Sequence, residues 1–167
     1  KMILNTEYQK GILLFDDEKQ YKTIVEGANS YTNFISSDSI FYISDAFKGI
    51  QYAPWKDVIK GKANWHTISK QQGLIWNAVD DFVEDKYGNI WGAKNKRGVF
   101  VYQPAKYKAI VWDVNHKKLS EGSIALLVDK NKTIWMATNS GKLLYYDSKS
   151  KDDLSVKNFH GIIHPLL

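Results

Sequence analysis

A tandem repeat in the second half of this chain limits its possible folds more than any other feature. The segment at 83–102, VEDKYGNIWGAKNKRGVFVY, returns at 128–146 as VDKNKTIWMATNSGKLLYY, so that Trp91 and Trp135 are 44 residues apart. Glycines that precede apolar stretches extend the repetition along the chain, at Gly11, Gly49, Gly98 and Gly141. A repeat of this length usually determines the architecture of the whole chain.

Apolar residues alternate with polar ones over short stretches in each repeat, and these stretches end at Gly, Asp, Asn or Lys. A period of two is typical of β-strands and not of helices. In the clearest repeat we predict four strands, at 78–84, 89–94, 98–103 and 108–114. The next repeat contains the matching stretches SIALLVD, TIWMAT, KLLYYD and SVKNFH. The sequence therefore predicts an all-β fold.

A four-stranded antiparallel unit that recurs at roughly 40–50 residues is typical of a propeller blade, because one blade cannot bury both of its faces and stacks on its neighbours. We predict about four such blades, forming a partial or small β-propeller within a single domain, 1–167. Their predicted bounds are 1–27, 28–70, 71–115 and 116–160. On the second strands, large aromatic side chains are expected to pack between blades, at Phe41, Trp91 and Trp135.

The two ends of the chain leave the number of blades open. The first repeat starts at its second strand, 2–8, because Leu4 precedes Gly11 at the spacing that the tryptophan and glycine of the third repeat show. The tail at 161–167 falls where a new innermost strand would begin. We favour a part of a larger propeller, whose apolar end faces would associate. A closed four-bladed ring completed by the tail, and a ring shared between chains, are the alternatives.

The run FVEDKYGNIWGAKNKRGVFVY, and more loosely LLVDKNKTIWMATNSGKLLYY, resembles the two-component regulator propeller repeat. This family is best known from periplasmic sensor regions of bacterial hybrid histidine kinases. The resemblance covers about 74–148, whereas ISSDSIFYIS in the second repeat lacks the Glu-Asp pair. It implies a periplasmic or extracellular segment that is not catalytic, needs no cofactor and recognises an oligosaccharide or similar polar ligand.

Composition argues against several other partners. The net charge of +5 suggests an anionic partner, but Arg97 is the single arginine among 23 basic residues. Arginine supplies the bidentate contacts to guanine and phosphate, so we predict a solvated lysine surface and no nucleic-acid binding. No stretch approaches the roughly 20 apolar residues of a membrane span, so we expect no membrane insertion of this segment.

No catalytic or metal site is predicted. The chain has no cysteine, and its histidines are His66, His116, His160 and His164. The last two lie in a stretch that contains Pro165 and reads as strand or loop, where residues four apart are about 13 Å from each other. Asp80 and Asp81 would point to opposite faces of a strand, so they do not form an acid–base pair. A propeller lyase, which is built from related blades, is a less favoured alternative.

Binding residues are expected on the loops that lead into innermost strands and on the loops between second and third strands, because loops on a rigid scaffold commonly carry function. The predicted ligand-binding residues are Asn29, Tyr31, Asp45, Lys48, Trp76, Asn77, Lys94, Asn95, Arg97, Glu121, Asn139 and Ser140. Trp76 is the most suggestive, since an aromatic plate beside Asn and Lys suits a sugar ring, although packing beneath the loop explains it equally well.

The alternative function is a protein–protein interaction scaffold in a cell-envelope assembly. Tryptophan is enriched at binding hot spots. In this reading the interface anchors would be three exposed side chains, Trp55, Trp65 and Trp112.

Overall fold

The computed structural model describes residues 2–5, 11–16, 20–113, 122–146 and 159–162. These residues form one three-stranded and three four-stranded antiparallel sheets, and the strands of each sheet are hydrogen-bonded in chain order. The predicted all-β architecture of consecutive blades is therefore confirmed. No helix in the described part of the chain is long and apolar enough to span a membrane.

Each sheet is a meander of short strands. The first sheet contains β1 (Met2–Asn5), β2 (Ile12–Phe15) and β3 (Tyr21–Val25). The second contains β4 (Ser30–Ile35), β5 (Ile40–Asp45), β6 (Gly49–Pro54) and β7 (His66–Ile68), with the short helix α1 (Trp55–Val58) after β6. The third contains β8 (Asp81–Glu84), β9 (Ile90–Lys94), β10 (Gly98–Gln103) and β11 (Lys108–Asp113). The fourth contains β12 (Ser123–Val128), β13 (Ile134–Thr138), β14 (Leu143–Tyr146) and β15 (Phe159–Ile162).

The last strand corrects the predicted boundary of the tail. Gly161 and Ile162 belong to the outermost strand of the fourth sheet, where they pair with Leu144 and Leu143. They do not begin a new innermost strand. Residues 163–167 lie outside the described part of the chain.

The chain divides into two compact units. The first comprises residues 1–71 and 75–78, and the second comprises 72–74 and 79–167. The core of the first unit contains Ile12, Ala28, Phe41, Ile43, Ala53 and Val58. The core of the second contains Trp91, Ala93, Val99, Val101, Trp112, Leu126, Ile134, Met136 and Tyr146. In both units, apolar residues of consecutive sheets share one core.

Trp91 is the centre of the contact between the third and fourth sheets. Its ring is fully buried and stacks on Trp112, with ring centroids 5.4 Å apart and planes 9° apart. The ring of Tyr146 from the fourth sheet lies 4.6 Å away on a tilted plane. The prediction that Trp91 packs between blades is confirmed.

The same core corrects one of the three predicted interface anchors, Trp112. Trp112 is only 3% exposed, so it cannot anchor a partner at the surface. Trp55 and Trp65 are half-buried in the first unit, with ring centroids 5.2 and 6.4 Å from that of Phe41. All three tryptophans pack against their own sheets because large aromatic side chains gain most from burial.

A carboxylate in the β8–β9 turn makes the burial of Trp91 possible. Asp85 Oδ1 accepts hydrogen bonds from the backbone N–H groups of Tyr87 and Asn89, at 2.8 and 2.9 Å. Its other oxygen, Oδ2, accepts from Asn89 Nδ2 at 2.8 Å and from Trp91 Nε1 at 3.0 Å. The indole N–H therefore keeps a partner inside the core, as a buried donor requires.

The fourth sheet repeats this turn. Asp129 accepts hydrogen bonds from the backbone N–H groups of Asn131 and Thr133 and from Trp135 Nε1, the last at 3.0 Å. The bond from Trp135 and that from Thr133 hold the pKa of Asp129 below its ordinary value of 3.8. A carboxyl whose pKa is lowered by folding contributes stability above its unfolded pKa and loses that contribution as the pH falls through its folded pKa.

The second sheet has a different residue at each of these positions. Ser36 closes the β4–β5 turn with a backbone hydrogen bond from the fourth residue after it, as Asp85 does in the third sheet. Tyr42 lies six residues after Ser36, as Trp91 lies six after Asp85. Tyr42 therefore occupies the tryptophan position. Phe41, one residue earlier, is buried in a core shared with Ile12 of the first sheet, so the prediction that it packs between blades is confirmed.

The first sheet shows a similar shift. Counted from Gly11, the third residue along β2 is Leu14, which pairs with Ile3. In the third sheet the third residue after Gly98 pairs with Trp91. Ile3 is therefore the counterpart of the tryptophan, and not Leu4, because Ile3 and Gly11 are eight positions apart in the sequence whereas Trp91 and Gly98 are seven apart.

We predict that Asp85→Ala lowers the free energy of unfolding by roughly 2–4 kcal/mol, because several buried donors lose an acceptor at about 1–3 kcal/mol each. Asp129→Ala is the matched control. It removes the equivalent bonds but should have a smaller effect, since Trp135 is half-buried and water can replace the carboxylate. Urea denaturation followed by circular dichroism measures both changes, and equal losses would contradict this account.

Candidate functional site

The two kinds of loop that the sequence singled out are tied together in each four-stranded sheet. In all three, the first residue after the second strand donates its backbone N–H to the segment that leads into the first strand. The pairs are Ala46 to the Asn29 carbonyl at 2.9 Å, Asn95 to Asp80 Oδ2 at 2.7 Å, and Asn139 to the Gly122 carbonyl at 3.0 Å. These loops form a loop surface in each unit, described separately below.

Asp45 organises the loop surface of the first unit. Its side chain is 1% exposed. Oδ1 accepts from the backbone N–H groups of Phe47 and Lys48, both at 2.8 Å, and Oδ2 accepts from that of Asn29 at 2.9 Å. A carboxylate that is buried and bonded to three backbone donors holds the loops in place. This geometry corrects the predicted role of Asp45 in contacting a ligand.

An aromatic residue that the sequence reasoning missed projects from this surface. Phe47, in the β5–β6 hairpin, is 71% exposed, and Tyr31 at the start of β4 is also exposed. Lys48 and Asn77 are exposed as well. The turn residues on both sides, Asp and Gly, were the available signal, because an aromatic side chain at the tip of so short a hairpin has little around it to pack against.

Asn77 approaches the same loops. The Asn77 carbonyl oxygen lies 3.2 Å from where a Cβ on Gly49 would be, and Gly49 has a φ of +87°. Glycine at this position therefore permits both the turn and the close approach. Trp76 is half-buried, which leaves part of its ring accessible. The first unit thus brings together the segments that carry Asn29, Tyr31, Asp45, Lys48 and Asn77.

In the second unit, equivalent asparagines of consecutive sheets meet. Asn139 Nδ2 donates to Asn95 Oδ1 at 3.1 Å, across 44 residues of chain. Asn95 also forms a parallel β-bridge with Ser123. Both asparagines are exposed.

Other predicted residues of the second unit surround this amide pair. Lys94 Nζ forms an ion pair with Asp80 Oδ1 at 3.0 Å. Arg97 is exposed, and the exposed Ser140 hydroxyl lies 3.1 Å from Thr138 Oγ1. Glu121 lies outside the described residues.

The neighbouring aspartates have separate structural partners. Asp80 bonds to Lys94 and Asn95, whereas Asp81 Oδ2 accepts the backbone N–H of Leu126 in the fourth sheet at 2.9 Å. Asp81 thereby joins two consecutive sheets. Their divergence agrees with the prediction that they do not work as a pair. Among the described residues, no group of three or more His, Cys, Asp or Glu is arranged to hold a metal ion.

Comparison with known proteins identifies the fold. No protein-family model matches the chain, and no curated protein matches it either. The extracellular domain assigned to the hybrid two-component system BT4673 of B. thetaiotaomicron has a TM-score of 0.73 and 18% identity, over 95% of this chain and 22% of that one. The corresponding domain of BT3049 from the same organism has a TM-score of 0.71 and 15% identity, over 93% and 20%.

A streptogramin B lyase structure is also similar, with a TM-score of 0.68 and 12% identity, over 98% of this chain and 51% of that one. At these identities the likeness concerns the fold alone. The chain is an all-β protein built of β-propeller blades. It spans about a fifth of the length of the two sensor domains that it resembles.

A substitution at Gly122 can test whether close packing holds the loop surface of the second unit together. A Cβ at this position would lie 2.7 Å from Asn139 Oδ1 and 2.7 Å from Lys96 Cα. We predict that Gly122→Ala lowers the free energy of unfolding by about 1–3 kcal/mol, because the Lys96 backbone must move. The exposed control Asn139→Ala should lose less than about 1 kcal/mol. Thermal unfolding compares the two, and a Gly122→Ala protein as stable as the wild type would rule out this close packing.

Proposed function

We propose that this chain is a non-catalytic segment of the extracytoplasmic sensor propeller of a bacterial two-component regulator, and that it binds an oligosaccharide or a similar polar ligand. The similarity to extracellular domains of two hybrid two-component systems, over 93% and 95% of the chain, supports the sensor role. The ligand-binding role is supported by the side chains on the loop surface of the first unit.

The exposed ring of Phe47 is the observation on which the ligand proposal depends. An aromatic side chain that is 71% exposed gains little from packing. Together with Tyr31, which is exposed at the start of β4, it offers apolar ring faces to the C–H groups of a sugar, while Lys48 and Asn77 offer donors to hydroxyl groups.

Asp45 gives these side chains a fixed base. Its two oxygens hold the backbone of Phe47 and Lys48 on one side and that of Asn29 on the other. A loop that is already ordered loses less conformational entropy on binding. The hairpin is therefore suited to presenting an aromatic plate without first having to fold around the ligand.

A signal would require that the ligand bind one arrangement of the sensor better than another. Binding energy shifts such an equilibrium only by the difference in affinity between the two states. The chemistry of phosphotransfer would belong to other parts of a two-component regulator.

We predict that Phe47→Ala and Tyr31→Ala each weaken binding of a recognised oligosaccharide about five- to thirtyfold, which corresponds to about 1–2 kcal/mol of lost stacking. Isothermal titration calorimetry with hexasaccharides derived from xylan, from pectin and from chondroitin sulfate would identify the recognised class. The wild-type affinity for that sugar is the reference for both variants.

Tyr107→Ala is the matched control, because Tyr107 is similarly exposed but lies between β10 and β11, at the opposite end of the third sheet from its β9–β10 hairpin. It should leave the affinity unchanged. A panel without any binding by the wild type would reject the oligosaccharide proposal. Equal losses in all three variants would instead indicate that Phe47 and Tyr31 do not form the site.

A further inference from the structure

The β9–β10 hairpin of the second unit ends in a cationic tip, formed by Asn95, Lys96 and Arg97. All three residues are exposed. The first unit has an equivalent hairpin between β5 and β6, which also contains three residues and has the exposed Phe47 at its centre. Lys96 therefore takes the position of Phe47. One loop surface presents an aromatic ring at this position, and the other presents a charge.

The charges of the cationic tip have no counter-charge in the described part of the chain. Lys94, at the base of the hairpin, forms an ion pair with Asp80, whose other oxygen accepts the backbone N–H of Asn95. Neither Lys96 nor Arg97 forms an ion pair with a described residue. Two adjacent cations of this kind create a positive potential that attracts an anionic group.

The fourth sheet holds the cationic tip in place. Asn139 Nδ2 donates to Asn95 Oδ1 at 3.1 Å, and Asn95 also forms a β-bridge with Ser123. The lack of a side chain at Gly122 lets the backbone of Lys96 approach, since a Cβ there would lie 2.7 Å from Lys96 Cα. A tip that is ordered before a ligand arrives loses less conformational entropy on binding.

The backbone of Lys96 gives a way to separate charge from folding. Its φ is +58°, in the left-handed region that glycine adopts without strain. Lys132, in the β12–β13 turn, is also exposed and has a φ of +63°. This turn lies at the opposite end of the fourth sheet from the β13–β14 hairpin. Lys132 therefore matches Lys96 in charge, exposure and backbone conformation but lies away from the cationic tip.

We propose that the cationic tip binds the anionic group of an acidic oligosaccharide, either a uronate carboxylate or a sulfate ester. The inference rests on the proposed function, because it takes the ligand to be a saccharide. Both anions present oxygens that the Arg97 guanidinium can bond in a bidentate manner, with Lys96 as a second cation. No described residue accepts a hydrogen bond from Asn95 Nδ2, which leaves that donor for a neighbouring sugar hydroxyl.

Pairs of hexasaccharides that differ only in charge test the role of the anion. Calorimetry would compare a galacturonate hexasaccharide with its methyl ester, and a chondroitin sulfate hexasaccharide with its desulfated form. At about 50 mM sodium chloride the more acidic member of a recognised pair should bind about tenfold more tightly. The pair that shows this difference distinguishes carboxylate from sulfate. Equal affinities within every recognised pair would overturn the proposal.

Lys96→Gly removes a cation and at the same time relieves the left-handed backbone. It should weaken binding of the recognised acidic hexasaccharide about two- to fivefold, as for one exposed ion pair. Its melting temperature should stay the same or rise, so the loss cannot be ascribed to unfolding. Arg97→Gln should weaken the same binding about tenfold, because the bidentate contact is lost.

Lys132→Gly is the matched control for Lys96→Gly and should leave the affinity unchanged. Equal losses in these two variants would show a general attraction between charges and would contradict a site at the cationic tip. A single-stranded DNA with the same number of charges as the hexasaccharide is the polyanion control. Binding of this DNA as tight as that of the hexasaccharide would overturn the proposal in the same way.

The first loop surface separates failure of this inference from failure of the proposed function. Phe47→Ala should weaken both members of a recognised pair by the same factor, whereas Arg97→Gln should weaken only the more acidic member. A loss in Phe47→Ala without any loss in Arg97→Gln would overturn the anionic site and retain the proposed function. No binding of any hexasaccharide by the wild type would reject both.

Discussion

The hydrogen bond from Trp91 Nε1 to Asp85 Oδ2 is the interaction on which the packing of the second unit depends. A tryptophan in a dry contact between two sheets brings a polar N–H group with it. Left without an acceptor, that group would cost about 1–3 kcal/mol. Asp85 removes this penalty and also closes the turn that sets the register of β8 and β9. One short segment therefore fixes both the strand pairing and the aromatic centre of the core.

This coupling explains which parts of the fold could be predicted from sequence. An Asp followed six residues later by a Trp recurs in the third and fourth sheets, and there the first three predicted strands of each sheet agree with the observed ones to within a few residues. In the second sheet, Ser36 and Tyr42 replace the pair, so the sequence drew attention to the neighbouring Phe41 and not to Tyr42. Because side chains alternate along a strand, an error of one residue moves a side chain to the opposite face.

The candidate site was harder to predict, since the sequence does not show which polar atoms are already bonded. Asp45 has a carboxylate of the kind that often contacts a ligand, but both of its oxygens already accept hydrogen bonds from backbone donors. Phe47 looked like any apolar turn residue, and its exposure follows from the hairpin geometry. Trp112 was expected at the surface because it is on an outermost strand, yet the size of its ring carries it into the core beside Trp91.

In the second unit, one hairpin connects the loop surface with an open apolar groove on the fourth sheet. The groove is lined by Ala125, Leu126, Leu127, Trp135, Ala137 and Leu143. Ala137 pairs with Leu143 at the base of the turn that carries Asn139 and Ser140, and both paired residues line the groove. An occupant of the groove would restrain this pair and so reduce the freedom of the turn above it. Ordering the turn in advance would lower the entropy lost when a ligand binds there. By linkage, whatever binds on that turn would strengthen the contact in the groove by the same factor, so the loop surface and the groove of the second unit would be coupled through a single β-hairpin.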